Sequence, residues 1–255
     1  MNYISLVAQK TNLPKIISVS TMTKIGQRNI YNLDLKANTS DVSDLALSEL
    51  YVARHAIIFD KLCGSNPIGS GIDISFSIPE AAKAVSDPLI NSAGLTKIFR
   101  TRFMGCSVNI IKSAQEILDQ NIFQTSDLKY SYGITDYIDT PVMGKIDVSE
   151  HAFERFFQRF ITPVDQSEIK APWKTLRKSI VRPRLIKVDL DMENMPFYAR
   201  LNRGIDINEA EALYKDPLND THYIVSGPND YGIRTLISVF IRKEDDYKFY
   251  KKTSL

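Results

Sequence analysis

Residues 149–160, in the second half of the chain, divide their side chains between two opposite faces of a helix. Ser149 predicts the N-cap of that helix, which is expected to run over 150–160 and to end before Pro163. At about 100° per residue, one face carries Phe153, Phe156, Phe157 and Phe160, and the opposite face carries His151, Arg155 and Arg159. The phenylalanines predict the face that packs on a core. The basic row therefore points either into water or into a cleft.

The residue types in this row suit phosphate chemistry. Guanidinium groups bind the non-bridging oxygens of a phosphate, and a histidine can transfer protons near pH 7. Metal-independent RNA cleavage needs a base for the 2′-hydroxyl, an acid for the leaving oxygen and cations for the charged transition state. His151, Arg155 and Arg159 are therefore candidate catalytic residues. The alternative is an ordinary exposed basic face that pairs with Glu154 or with a neighbouring domain.

Positive charge is concentrated in and after this helix. Residues 151–187 hold nine basic and three acidic residues, a net charge of +6, whereas residues 1–144 hold thirteen of each. A local excess of this size favours an anionic partner, and nucleic acid is the commonest one. The alternative is a solvated surface. The candidate nucleic-acid-binding residues of this stretch are Lys170, Trp173, Lys174, Arg177, Lys178, Arg182 and Arg184.

Trp173 is the only tryptophan of the chain and stands among these cations. An aromatic ring in such a place can stack on an unpaired base while the cations hold the backbone. It can equally anchor an otherwise loose segment to the core. The acids that follow, Asp189, Asp191 and Glu193, are interpreted as solvated groups or as intramolecular partners of the arginines.

Strand and helix patterns alternate in the first half of the chain. Two β-rich runs at 16–20 and 30–35 predict a hairpin. A helix is expected over 41–62 with Ser40 as its N-cap, and Glu49 lies inside its apolar stripe, where a carboxylate needs a partner. The other expected elements are strands at 72–78 and 106–111, a short helix that begins at Pro79 and a helix around 90–100.

This order of elements over residues 15–112 resembles part of a ribonuclease-H-like domain, with Glu49 where that family carries its helix carboxylate. The metal-binding pattern of the family is incomplete, because the first predicted strand has no aspartate and Ser75 stands where an acidic ligand is expected. Without clustered carboxylates two Mg²⁺ ions cannot be held. The resemblance therefore implies a degenerate, non-catalytic domain.

The segment His151-Ala152-x-x-Arg155-x-x-x-Arg159 resembles the H-A-x-x-R-x-x-x-R motif of small bacterial domains related to BrnT-type toxins, which are similar to RelE-like ribonucleases. In those domains a strand leads into this helix and a meander of strands ends the fold. The resemblance covers about 145–250, and a long insertion at 161–200 departs from the family's pattern. The corresponding elements are expected as a strand at 145–148, a short helix at 209–213, and strands at 222–225 and 233–241.

This second resemblance implies a metal-independent endoribonuclease with His151, Arg155 and Arg159 on the substrate face. It adds Arg234, on the last long strand, as a nucleic-acid contact, and His222 as a catalytic partner acid or base. A histidine at a strand end is also often just a surface residue. Toxin-like, plasmid-borne or phage-related biology, with a protein partner or inhibitor that covers the site, follows only by analogy.

Cysteine content and hydropathy narrow the class of protein further. Cys63 and Cys106 are too few for a disulfide framework and lack metal-site spacing, so they are expected to pack as small apolar groups in a reducing cytoplasm. With only three histidines in addition, neither a zinc site nor a cofactor is expected. The chain has no apolar run of about 18 residues and does not begin with a basic, apolar leader. A soluble, cytoplasmic protein without a membrane partner is therefore expected.

Together these patterns predict a mixed α/β (α+β) protein of two parts. Residues 1–140 are expected to form a mixed α/β recognition or regulatory domain. Residues 141–255 are expected to form a basic α+β domain, a helix packed on a small antiparallel sheet. The expected function is interaction with nucleic acid, RNA favoured, with metal-independent ribonuclease activity as its enzymatic form. The alternatives are a non-catalytic binding or assembly protein of a mobile element, phage or defence system, and a homo-oligomer whose interface buries the basic face.

Overall fold

The computed structural model describes residues 2–35, 38–65, 69–130, 136–161, 171–188 and 210–241. The chain forms two compact units, Met1–Ile134 and Thr135–Leu255, here termed unit 1 and unit 2. In the described residues each unit contains helices and a six-stranded sheet. The predicted mixed α/β fold class is therefore confirmed.

The sheet of unit 1 combines an antiparallel three-stranded meander with parallel strands on both sides. Its strands are β1 (Asn2–Lys10), β2 (Ile16–Thr23), β3 (Arg28–Asp34), β4 (Ile72–Phe76), β5 (Ser107–Ile110) and β6 (Ile122–Lys129), in the order β5-β4-β1-β2-β3-β6. β2 runs antiparallel to β1 and β3, which confirms the predicted hairpin. The other pairs are parallel. β1 is not predicted from the sequence, and its residues 4–8 are all buried.

The helices of unit 1 are α1 (Asp44–Ile58), α2 (Pro79–Ser86), α3 (Lys97–Arg100) and α4 (Gln115–Leu118). The predicted N-cap of α1 is wrong, because the Ser40 hydroxyl bonds to Asn38 and the Ser43 hydroxyl accepts from the N–H of Ala46 instead. Most residues of α1 are buried in the core of unit 1. Cys63 is buried in the same core and Cys106 packs against it, as predicted.

The sheet of unit 2 is mixed. The expectation of a purely antiparallel sheet is therefore wrong. Its described strands are β7 (Tyr137–Thr140), β8 (Gly144–Val148), β9 (Ile186–Val188), β10 (Ala210–Asp216), β11 (Thr221–Ser226) and β12 (Ile233–Ile241), in the order β7-β8-β12-β11-β10-β9. β8 and β12 are parallel, and the other pairs are antiparallel. The helix predicted at 209–213 is wrong, since residues 210–213 belong to β10. Pairing with β9 and β11 overrides the helix-favouring composition of that segment.

Two helices, α5 (Glu150–Phe156) and α6 (Pro172–Ile180), cover one face of this sheet, and a π-helical turn, Phe157–Ile161, continues α5. Ser149 caps α5 as predicted, its hydroxyl accepting a hydrogen bond from the N–H of Ala152. Phe153 and Phe156 are buried in the core on this face. A smaller apolar cluster of Leu213, Ile224 and Ile237 lies on the other face.

Candidate nucleic-acid interface

Helix α5 carries the row of His151, Arg155 and Arg159, and both ends of this helical segment are bonded to β12. At the start, the Ser149 hydroxyl donates to the carbonyl of Ile237 (3.4 Å). In the π-helical turn, Nη1 of the half-buried Arg159 donates to the carbonyl of Val239 (2.7 Å). Arg159 therefore holds the end of the helix against the sheet.

His151 and Arg155 are half-buried on α5. Burial lowers the pKa of His151 from its ordinary value of 6.5, and the charges of Arg155 and Arg159 lower it further, against the opposing charge of Glu154. The neutral form of the imidazole consequently predominates at pH 7. The three members of the row are thus electrostatic neighbours, and His151 is in the protonation state that a general base requires.

His222 lies on the opposite face of the sheet from α5. Its neighbours along β11, Tyr223 and Val225, belong to the core that α5 covers, and side chains alternate along a strand. His222 is completely buried, its Nδ1 lies 2.9 Å from the carbonyl of Asp220, and its ring stacks on Phe240 at 5.0 Å. Interpretation as a surface residue is therefore wrong, and the sheet separates His222 from His151.

Arg234 lies near the start of β12, paired with Ile146 of β8. Its Nη1 donates to the carbonyl of Ser226 (3.2 Å). At about 3.3 Å per residue, its backbone is about 16 Å along β12 from Val239, to which Arg159 is bonded. The structure therefore places Arg234 at the opposite end of this strand from the end of α5.

Helix α6 separates its side chains into a buried and a charged face. Leu176, Ser179 and Ile180 are buried. Trp173 packs against the core of unit 2, with its ring 6.0 Å from that of Phe153. Of the two interpretations, base stacking and anchoring, this contact corresponds to anchoring. The exposed residues Lys174, Arg177 and Lys178 form what we term the basic face of α6. Their spacing of three and four residues places them on one side of the helix.

The two arginines that follow α6 bind the carboxylate of Asp216, a partner that is not identified from the sequence. Arg182 Nη1 donates to Asp216 (2.7 Å), and Arg184 donates to it from Nε (2.8 Å) and Nη2 (2.9 Å). Burial raises the pKa of Asp216, but these hydrogen bonds outweigh it and lower the pKa to about 2. The acids interpreted as partners, Asp189, Asp191 and Glu193, lie outside the described residues, as does Lys170.

In unit 1, Glu49 has the partners that its place in the apolar stripe requires. Its carboxylate is completely buried and accepts hydrogen bonds from the N–H groups of Ala8, Ser77 and Ile78 (each 3.1 Å) and from the Ser77 hydroxyl (2.6 Å). It therefore joins the ends of β1 and β4 to the start of α2. Ser75 faces away from it, since Ile74 and Phe76 point into the core on the α1 side.

Among the described residues, no group of three His, Cys, Asp or Glu side chains is arranged to hold a metal ion. No helix in the described part of the chain is long and apolar enough to cross a membrane. In comparisons with known proteins, the chain matches no family model, no curated protein and no solved structure. Geometry and charge are therefore the basis for assigning a function.

Proposed function

We propose that unit 2 binds the phosphate backbone of nucleic acid through the basic face of α6. Residues 171–188 contain six basic residues and no acidic one. The three cations of the basic face are exposed, and none of them has an acidic partner among the described residues. This one-sided positive charge, which no acid of the described residues neutralises, is the observation that supports the proposal, because folding alone does not require three adjacent cations on one helix face.

The chemistry of the basic face favours contacts to phosphates over contacts to bases. Lysine and arginine neutralise backbone charge and release counterions, which makes binding strongly dependent on salt but carries little sequence information. Trp173 is the only tryptophan, and its ring is packed against the core, so base stacking on it is not part of the proposal. RNA is the first ligand to test, as the family resemblance suggests.

Replacing Lys174, Arg177 and Lys178 together by glutamine is expected to weaken binding of single-stranded RNA on the order of 100-fold at low salt. The slope of log affinity against log salt concentration should fall by about 2, since each lost contact with single-stranded nucleic acid removes about 0.7. Fluorescence anisotropy with a labelled oligonucleotide, measured over a salt series, gives both quantities.

The matched control is the triple glutamine variant of Lys10, Lys24 and Lys112, which are exposed lysines of unit 1. It changes the net charge by the same amount, and we expect its affinity to stay within about threefold of the wild type. Equal losses in both variants would mean that net charge and not the basic face of α6 drives binding. A wild-type protein without salt-dependent binding to RNA or DNA would overturn the proposal.

Metal-independent RNA cleavage is the second candidate function, and the position of His151 next to Arg155 on α5 favours it. A neutral imidazole beside Arg155 can accept a proton while the guanidinium group neutralises a phosphate. His222 does not complete a catalytic pair with it, because the two histidines lie on opposite faces of the sheet. The leaving oxygen would therefore need an acid other than His222.

Cleavage of RNA by the wild type in EDTA, lost in His151→Ala and in Arg155→Ala, is the expected result for this activity. The rate should rise with pH through a pKa below 6.5, because the base acts in its neutral form and the pKa of His151 is lowered. Lys24→Ala is the control variant, since Lys24 is an exposed lysine of unit 1. Cleavage that survives in His151→Ala would show that His151 is not the base.

A further inference from the structure

Arg182, Arg184 and Asp216 form a cluster with more positive than negative charge. The Asp216 side chain is completely buried, whereas those of Arg182 and Arg184 are 35% and 39% exposed. Asp216 also accepts a hydrogen bond from the N–H of Leu218 (3.1 Å), so its oxygens are bonded on several sides. Two guanidinium groups on one carboxylate leave a net charge of +1 at the surface.

The hydrogen bonds fix the direction of both guanidinium groups. Arg184 uses Nε and Nη2, and Arg182 uses Nη1, for the bonds to Asp216. A guanidinium group has five N–H donors in a fixed plane, so each arginine has donors that these three bonds do not use. Because a buried anion holds them, the two groups lose little further conformational entropy when they bind a ligand.

Among the residues that the structure describes, the other charges near this cluster do not cancel its excess. Asp220 lies 3.7 Å from Lys215 Nζ and is therefore already engaged with a cation. Lys187, on β9, is exposed and has no acidic partner among the described residues. Beneath the cluster, the completely buried Tyr223 is an electrostatic neighbour of all three of its members. The cluster thus presents a rigid, positively charged patch two residues beyond the end of α6.

We propose that Arg182 and Arg184 form a preorganised fork that binds one phosphate group, with Asp216 as the positioning residue that aims it. The fork deepens the proposed function, and it rests on that function for its ligand, a phosphate of the nucleic-acid backbone. A free phosphate ion offers the same tetrahedral oxygens and is the other source of this chemistry. The fork differs from the basic face of α6 because it depends on the planar geometry of arginine and not on charge alone.

The test compares two substitutions that conserve charge. Arg184→Lys keeps the cation but loses the bidentate geometry, and we expect it to bind single-stranded RNA about tenfold more weakly, the effect of one charge-assisted hydrogen bond. The salt slope should not change, because the charge is retained. Lys24→Arg is the matched control, because Lys24 is an exposed lysine of unit 1, and its affinity should stay within about twofold of the wild type. Wild-type affinity in Arg184→Lys would overturn the fork and leave the proposed function standing.

Asp216→Asn tests the positioning role of Asp216, because binding by net charge and binding by positioned arginines predict opposite effects of this substitution. It removes a negative charge, so an account based on net charge alone requires tighter binding. The positioning account requires weaker binding, because the arginines lose the anion that aims them. Trp173 fluorescence verifies that unit 2 is folded under the conditions used. Tighter binding by the folded variant would overturn the role of Asp216.

Addition of inorganic phosphate tests whether the fork binds a free phosphate ion as well as a phosphate of the nucleic-acid backbone. Addition of phosphate, with chloride at equal ionic strength as the reference, is expected to raise the melting temperature of the wild type more than that of Arg184→Lys. If RNA does not bind but phosphate acts selectively through Arg184, the proposed function fails and the fork stands as a site for a small phosphate. Equal shifts in the two proteins, together with equal RNA affinities, would contradict the fork.

Discussion

Unit 1 is expected to lose about 3 kcal/mol of its free energy of unfolding as pH rises from about 5 to about 8, and Glu49→Gln is expected to abolish that loss. Burial raises the pKa of Glu49 from 4.5 to about 7, although hydrogen bonds from Ser77, Ile78 and Ala8 favour its charged form. Between these two values the folded protein holds a proton that the unfolded chain releases. Rising pH therefore favours the unfolded chain over this window. Glutamine does not titrate, so the free energy of unfolding of Glu49→Gln should not change over this pH range.

Amide hydrogen exchange of peptides from β1 and α1, followed at several pH values, measures this change within unit 1. Glu80→Gln is the control in the same unit, because Glu80 is an exposed carboxylate that accepts a hydrogen bond from the N–H of Ser43. The pKa of Glu80 is lowered by its bonds to Ser43, so any contribution from it has the opposite sign. If the stability of Glu49→Gln changed with pH as much as that of the wild type, groups other than Glu49 would cause the change.

Glu49→Ala separates the pH dependence of this carboxyl group from its role as an acceptor. Alanine leaves the N–H groups of Ala8, Ser77 and Ile78 without their acceptor in either protonation state, and each unsatisfied buried donor costs about 1–3 kcal/mol. The variant should therefore be less stable than Glu49→Gln at every pH. Because the wild type itself loses stability on ionisation, the deficit of Glu49→Ala relative to the wild type should be larger at about pH 5 than at about pH 8.

The parts of the fold that could be predicted from the sequence are those in which a local pattern and the final packing agree. The phenylalanine stripe of α5 and its Ser149 cap are of this kind, since Phe153 and Phe156 are buried and Ser149 binds the N–H of Ala152. β10 shows the opposite case. Its alanines, glutamate and leucine favour a helix, but two neighbouring strands supply backbone partners, and that pairing is not visible in the local sequence.

The candidate site shows the same limit at the level of single residues. The spacing of His151 and Arg155 on one helix determines that they are neighbours, so the sequence suffices to pair them. Which face of the sheet His222 occupies depends on the register of β11 against β12, which a motif does not contain. The partner of Arg182 and Arg184 is Asp216, more than thirty residues away along the chain. The local sequence around Asp216 does not indicate this pairing.

Asp216→Ala is expected to destabilise unit 2 by about 2 kcal/mol, because it removes a buried, hydrogen-bonded carboxylate, whereas the two arginines that it leaves unpaired are partly exposed to solvent. The substitution leaves Arg182 and Arg184 without their shared anion, and the N–H of Leu218 loses its acceptor. The pKa of Asp216 is lowered from 3.8 to about 2, so its charge stabilises the folded state above about pH 4. That contribution is lost as pH falls from about 4 towards 2. Urea denaturation followed by Trp173 fluorescence reports directly on unit 2, whose core Trp173 contacts.

Asp220→Asn is the matched control for this prediction, because Asp220 lies in the same β10–β11 hairpin and faces Lys215 at 3.7 Å with an exposed side chain. Such a pair contributes between 0 and about 1 kcal/mol, and asparagine tolerates the positive φ of this position well. We therefore expect its midpoint to be close to that of the wild type. If Asp216→Ala were as stable as this control, the buried carboxylate would not hold the two arginines. The rigidity on which the phosphate fork depends would then be absent, whereas binding by the basic face of α6 would be unaffected.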